Sequence, residues 1–228
     1  MTIGFDARRH RLTSQPTVVL TGFAITGWGT PVLDVSADGT LVYAPGPNQS
    51  LKRLGWATTD GRVDTLAIPP AQFTAFATSP DGARVAVVVA STSAAAELRV
   101  YDTRSGAVER VADFAQWDVA WSANGEWIVY GTGNGETVRR RASRLSERES
   151  MTFGGAVLDV SPDGGLVTVS RFGSVARHGL WVVPWGHPEA ATLIDSSTAT
   201  GCGLLSPDHE SILYQSAADG SYATYVAK

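Results

Sequence analysis

Three aspartates stand where a repeated pattern can gather them. Asp34 and Asp159 each lie two residues before the serine of a recurring tetrapeptide, and Asp118 lies four before it. Side chains of a strand alternate between its faces, so even offsets place all three on the same kind of face. Converging carboxylates can supply the acid, base or nucleophile that cleaves a glycosidic bond. They can also hold a hard cation, which favours clustered oxygens. The structural alternative is an aspartate, carried by each repeat, that bonds to the repeat beside it.

Other reactive side chains offer less. His10, His178, His187 and His209 show no zinc spacing, and His209 replaces a turn glycine. Cys202 is the only cysteine, so no intrachain disulfide forms, and a lone thiol between two glycines reads as a small buried hydrophobe. GTGNG at Gly131–Gly135 suggests a phosphate loop, but it joins two apolar strands rather than opening a helix, so it reads as a turn. No nucleophile elbow, zincin or dinucleotide motif is present. Cofactors and metals are therefore not expected. With 18 basic against 22 acidic residues the net charge is −4, which supplies no field for a nucleic-acid backbone. VRRRASRLSER, from Val138 to Arg148, departs from this with five arginines in eleven residues; it reads as a solvated strand and turn, or as a site for an anionic ligand. No window approaches the length of a membrane helix and the N-terminus lacks a signal-peptide core, so the chain is expected to be soluble, in the cytoplasm, with no membrane partner.

The elements that must position these groups come from the tetrapeptide itself. SADG begins at Ser36, SPDG at Ser79, SANG at Ser122, SPDG at Ser161 and SPDH at Ser206, spaced 43, 43, 39 and 45 residues apart. Each copy separates two short runs rich in β-branched and aromatic residues, such as PVLDV and TLVYA, or DVAW and EWIVYG. Proline presets φ, the Asp or Asn bonds backbone nearby, and glycine accepts the left-handed conformation that ends the turn. The carboxylates of Asp38, Asp81, Asp163 and Asp208 thus read as turn residues. A third run follows, as in ELRVYD, and a further turn such as TRSG leads to a fourth. Four strands every 40–45 residues is the signature of a propeller blade.

These residues resemble the TolB-like, WD-repeat-like propeller repeats. The matching stretches are ATSPDGARVAVVV with ELRVYDTRSG, and DVSPDGGLVTVS with GLWVVPW. LDVSADGTLVYAPG and LKRLGWATTDGRVDTLAIPP are similar to a narrower group, the propeller sensor modules attached C-terminally to bacterial serine/threonine protein kinases. No kinase motif accompanies them. The expected fold is all-β: a single five-bladed β-propeller over residues 1–228, with four-stranded antiparallel blades. Residues 1–25 act as a closing segment, and Thr17–Leu20 completes the sheet begun by Ser211–Val226. The alternative is an incomplete ring that finds its missing strands in another copy or another protein.

The resemblance places ligands at the mouth of the central channel, among loops entering first strands and leaving second strands. The entry loops are TGWGT, PPAQFTA, ADFAQW, TFGGA and the run from Asp195; the exit loops are APGPNQS, ASTSAAA, GTGNG, RFGSVAR and SAADG. Trp28, Phe73, Phe114, Trp117, Phe153 and Phe172 lie on them and form either a contact platform or plugs between blades. The expected function is non-enzymatic recognition or scaffolding of a protein, peptide or small ligand by a monomer. Trp28, Phe73, Trp117, Phe153, Asp34, Asp118 and Asp159 are the candidate contacts. The competing expectation is a propeller glycoside hydrolase using Asp34, Asp118 and Asp159, as five-bladed glycosidases use three acids.

Overall fold

The computed structural model describes residues 5–6, 8–9, 11–15, 17–18, 33–36, 40–44, 51–58, 61–90, 96–113, 115–171, 178–197, 201–218 and 220–228. It is a β-propeller of five antiparallel sheets. A hairpin of β1 (Phe5–Asp6) and β2 (Arg11–Leu12) precedes the blades. Blade I comprises β3 (Leu33–Val35), β4 (Leu41–Tyr43), β5 (Gly55–Ala57) and β6 (Val63–Thr65). Blade II comprises β7 (Phe73–Thr78), β8 (Arg84–Val89), β9 (Glu97–Asp102) and β10 (Val108–Ala112). Blade III comprises β11 (Gln116–Trp121), β12 (Trp127–Gly131), β13 (Thr137–Arg141) and β14 (Arg144–Met151). Blade IV comprises β15 (Ala156–Val160), β16 (Leu166–Arg171), β17 (Gly179–Pro184) and β18 (Thr192–Asp195), with one turn of 3₁₀ helix at Pro188–Ala190 before its last strand. Blade V comprises β19 (Gly201–Leu205), β20 (Ile212–Ser216) and β21 (Ala223–Ala227). The innermost strands pack in sequence, β3 on β7, β7 on β11, β11 on β15 and β15 on β19.

The tetrapeptide turns are built alike. The Ser79 hydroxyl donates to Asp81 Oδ1 at 2.6 Å and accepts the Arg84 N–H at 2.9 Å, while the Gly82 N–H closes onto the Ser79 carbonyl at 2.8 Å. Ser122 with Asn124, Ser161 with Asp163, and Ser206 with Asp208 repeat the arrangement. The serine bond is the main reason that Asp81, Asp163 and Asp208 sit below the ordinary carboxylate range. Their charge is spent on the turn. Gly82, Gly125 and Gly164 close it with φ of 67°, 74° and 74°, and His209 is forced to the same geometry at 64°.

Alternation along each second strand fills two seams at once. In β8, Val85, Val87 and Val89 face the core shared with blade I, while Ala86 and Val88 face blade III. In β12, Ile128 and Tyr130 face blade II, and Trp127 and Val129 face blade IV. A blade therefore has no solvent face in the middle of the ring, which explains the near-continuous apolar runs RVAVVV and WIVYG.

The expected closing segment Thr17–Leu20 is only half within the described residues, so the closure is left untested. Among the described residues blade V has three strands, Thr17 and Val18 are exposed, and residues 19 and 20 lie outside the described set. Asp6 Oδ1 accepts the N–H groups of Arg8 and Arg9, and Phe5 and Asp6 pair with Leu12 and Arg11, so the leading segment folds on itself. Leu204, Leu213 and Val226 form one cross-strand row on blade V, and all three are exposed.

Candidate functional site

Asp34 and Asp159 hold adjacent blades together. Asp34 Oδ1 accepts the Val35 N–H at 2.9 Å, and its Oδ2 accepts both the Thr78 N–H at 2.6 Å and the Thr78 hydroxyl at 2.7 Å, across the seam into blade II. Asp159 Oδ1 accepts the Val160 N–H at 2.8 Å, and Oδ2 accepts the Leu205 N–H of blade V at 2.8 Å. Beside it the Thr168 hydroxyl donates to the Gly203 carbonyl at 2.7 Å. Burial, reinforced by the charge of Asp34, pushes the Asp159 carboxyl up despite the two N–H bonds that favour its ionised form. The same position is Ala77 in blade II and Ala120 in blade III, each packed in an apolar core.

Asp118 does not share that geometry. Pairing of β11 with β12 slips between Gln116 and Val119, so Asp118 sits in a β-bulge, and the simple alternation that would align it with Asp34 and Asp159 fails. Parallel slips occur in β7, β15 and β19. Burial without a compensating hydrogen bond among the described residues raises the Asp118 carboxyl to about 6. Cys202 occupies the bulge of β19 at φ 50°. The residue is exposed rather than the buried hydrophobe expected, and the partial burial of its thiol, followed by the charge of Asp118, pushes it up, which makes it a poor nucleophile near neutral pH. Among the described residues no three His, Cys, Asp or Glu side chains gather as a metal site.

Two of the six candidate loop aromatics have described side chains, and both take the plug reading. Phe73 is 3% exposed, in the core between blades I and II, where the β7 strand carries it inward. Phe153 is 4% exposed, edge-on to Trp181 with ring centroids 5.9 Å apart, and Arg171 covers it at 5.0 Å. Both plug seams rather than meet solvent. Trp117 is placed by its backbone in β11; Trp28, Phe114 and Phe172 lie outside the described residues. Among the described residues Tyr222 is an exposed aromatic, 71% exposed just beyond the exit loop of blade V. Its position two residues after the end of SAADG was the available signal.

The same loop-bearing end holds a cleft of about 740 Å³ between blades II and III. One wall is Arg110 to Asp113, the end of β10 and the start of the entry loop; the other is Tyr130, the exit loop Thr132–Asn134, Glu136, Arg140 and Arg148. Most of its charges are paired. Arg110 meets Glu97 at 3.0 Å and Asp113 at 2.8 Å, and Arg148 meets Glu136 at 2.6 Å. Arg140 donates from Nε to the Tyr130 hydroxyl at 3.0 Å and from Nη1 to the Leu145 carbonyl at 2.6 Å. The remaining arginines of the basic stretch are engaged away from the cleft. Arg139 lies between Trp127 and Trp185, 4.0 and 4.3 Å from their ring centres, Arg141 covers Trp127, and Arg144 pairs with Glu147.

The five-bladed fold has TolB-like propellers among its structural neighbours. The fold is similar to a protein assigned as TolB from Agrobacterium tumefaciens, at 17% identity and TM-score 0.63, over 81% of this chain and 69% of that one. It is similar to TolB from Acinetobacter baumannii at 20% identity and TM-score 0.62, over 78% of this chain and 46% of that one. Hydrazine synthase of Kuenenia stuttgartiensis matches at 19% identity and TM-score 0.61, over 94% of this chain and 65% of that one. The chain thus spans less than half of the Acinetobacter TolB and about two thirds of the other two. No family profile and no curated protein matches the chain. Among the described residues no helix is long and apolar enough to cross a membrane.

Proposed function

We propose that the chain is a non-enzymatic recognition module that holds a peptide, protein or small ligand on the loop-bearing end of its ring. The observation that carries this reading is the division of labour between two places. Oδ2 of Asp34 and of Asp159 accepts an N–H of the next blade while Oδ1 accepts one on its own strand, whereas the cleft is lined by exposed loop residues such as Gly133 and Asn134. A concave site of this size, lined by arginines, carboxylates and loop polar groups around a small apolar patch, suits a small ligand or a short peptide. The likeness of Leu33–Gly46 and Leu51–Pro70 to kinase-attached sensor modules supports recognition, while the structural neighbours, TolB proteins and hydrazine synthase alike, share the fold.

Hydrolysis of a glycoside is the second reading, and Asp118 favours it, because a carboxyl held near 6 can deliver a proton at neutral pH. One experiment separates the two. A random peptide library is selected on the full chain, and a panel of chromogenic glycosides is assayed in parallel. The recognition reading expects an enriched peptide whose binding falls in Tyr222→Ala or Asn134→Ala, with no glycoside turnover. Turnover that disappears in Asp118→Asn would overturn it.

A further inference from the structure

The cleft between blades II and III contains more positive than negative charge, and its surplus is localised. Three guanidinium groups line it, from Arg110, Arg140 and Arg148, against two carboxylates, from Asp113 and Glu136. Two of the arginines meet those carboxylates directly, and Arg110 also meets Glu97. Arg140 is the exception: its bonds go to a phenol and a backbone carbonyl, both neutral, so its charge has no acidic partner among the described residues. Those two bonds also fix its guanidinium plane, because Nε and Nη1 are both anchored. A held guanidinium is preorganised for a carboxylate, and little side-chain entropy remains to be lost on binding.

We infer that this cleft binds a monocarboxylate carried on a small apolar body, with Arg140 as the anchor for the anion. The charge argument limits the ligand to one negative charge, since Asp113 and Glu136 at the walls repel a dianion such as phosphate. The apolar part follows from Val111, Ala112 and the ring of Tyr130 on the same lining. Thr132 and Asn134 at the rim bond to each other and to Glu136, which holds the turn beside the cleft in one shape. A free small acid and the C-terminal residue of a peptide both satisfy this chemistry. The inference deepens the recognition reading and rests on it.

The basic stretch from Val138 to Arg148 hid this because four of its five arginines do other work. Arg139 and Arg141 stack on tryptophan, Arg144 pairs with Glu147, and Arg148 pairs with Glu136. Alternation in β13 turns Arg140 to the face that also bears Val138, towards blade II, and away from that of Arg139.

The test is titration of the full chain, followed by calorimetry and by chemical-shift mapping, with N-acetyl-leucine, its neutral amide, inorganic phosphate, and one pentapeptide ending in leucine with a free or amidated C-terminus. The expected result is binding of N-acetyl-leucine that weakens about ten- to a hundred-fold in the amide and in Arg140→Gln, the range for losing a charged hydrogen bond. Glu136→Gln removes a repelling charge and releases Arg148, so it should tighten binding several-fold without touching the Arg140 anchors. Arg144→Gln should leave binding unchanged. The free-ended peptide binding more tightly than N-acetyl-leucine assigns the carboxylate to a chain terminus, and the reverse assigns it to a small acid; either supports the inference. Equal binding of acid and amide, preference for phosphate, or shifts mapped away from Tyr130 and Thr132 would overturn it while leaving recognition elsewhere on the ring intact. Glycoside turnover would overturn the recognition reading itself.

Discussion

The seam between blades II and III and the seam between blades IV and V join the same kind of sheet in different ways. The first buries Val88, Leu98, Ile128, Tyr130 and Val138 almost completely, side chains interleaved from both sheets. At the second, a Cβ built on Gly203 would meet the methyl groups of Leu180 and Leu158, and the specific links are Asp159 to Leu205 and Thr168 to Gly203. Each fully buried aliphatic side chain contributes about 1.5–3 kcal/mol and each hydrogen bond about 1 kcal/mol net. Like turns therefore set the shape of blades II to V, while stability is concentrated in the middle of the ring. Blade V is attached by polar pins at the place where β20 and β21 show much of their surface to solvent.

The comparison breaks most readily at the central seam. Ile128→Ala should cost about 2–5 kcal/mol, because a completely buried side chain leaves a cavity that rigid neighbouring strands cannot fill. Thermal melting monitored by circular dichroism should show a single large drop. Leu213→Ala on exposed blade V serves as its counterpart, expected to change stability far less.

A pH series sharpens a polar exception in the middle of the ring. Asp118 has its carboxyl raised from 3.8 to about 6 in the folded state, so the native protein holds a proton that the unfolded chain gives up. Its contribution to stability is complete below pH 4 and is lost as pH rises through 6. Asp118→Asn removes that loss. The variant should gain at most about 3 kcal/mol above pH 7 and nothing at pH 4, measured by urea unfolding at both values. A gain independent of pH would show that packing, not charge, is the cause.

The outer seam responds to smaller changes. Asp159→Ala leaves the N–H groups of Val160 and Leu205 unsatisfied, at a cost of about 1–3 kcal/mol. The loss should fall on blade V alone, seen as faster amide exchange in β19–β21 with β8 and β12 unchanged. Smallest is His209→Gly. His209 sits at φ 64°, where the other turns have glycine, so relieving it should stabilise the last hairpin by about 1 kcal/mol.

Legibility followed the range of the interactions. The blades were readable because each turn is local: serine, aspartate and glycine within four residues make its hydrogen bonds, and the strands on either side carry their own patterning. Asp34 and Asp159 stood out as equivalent positions, and the bond of each to the next blade fits one of the readings open to a repeated aspartate. Asp118 was misaligned because a bulge arises from pairing between two strands and leaves no mark in the spacing of one. Phe73 and Phe153 looked like loop aromatics, yet the approach of the next blade decides whether a ring near a strand end is covered. The leading hairpin was missed because two-residue ladders have no periodicity to read. The cleft brings Arg110 together with Arg140 and Arg148, an association across a seam that no local pattern records.

Hydrogen exchange followed by mass spectrometry, on the wild-type chain and on Asp159→Ala, tests the uneven attachment of the blades most directly. The account expects β19–β21 to exchange well before β8, β12 and β16 in the wild type, and to lose much of their remaining protection in the variant. Uniform protection across all five blades, or a loss in the variant spread evenly over the ring, would contradict it.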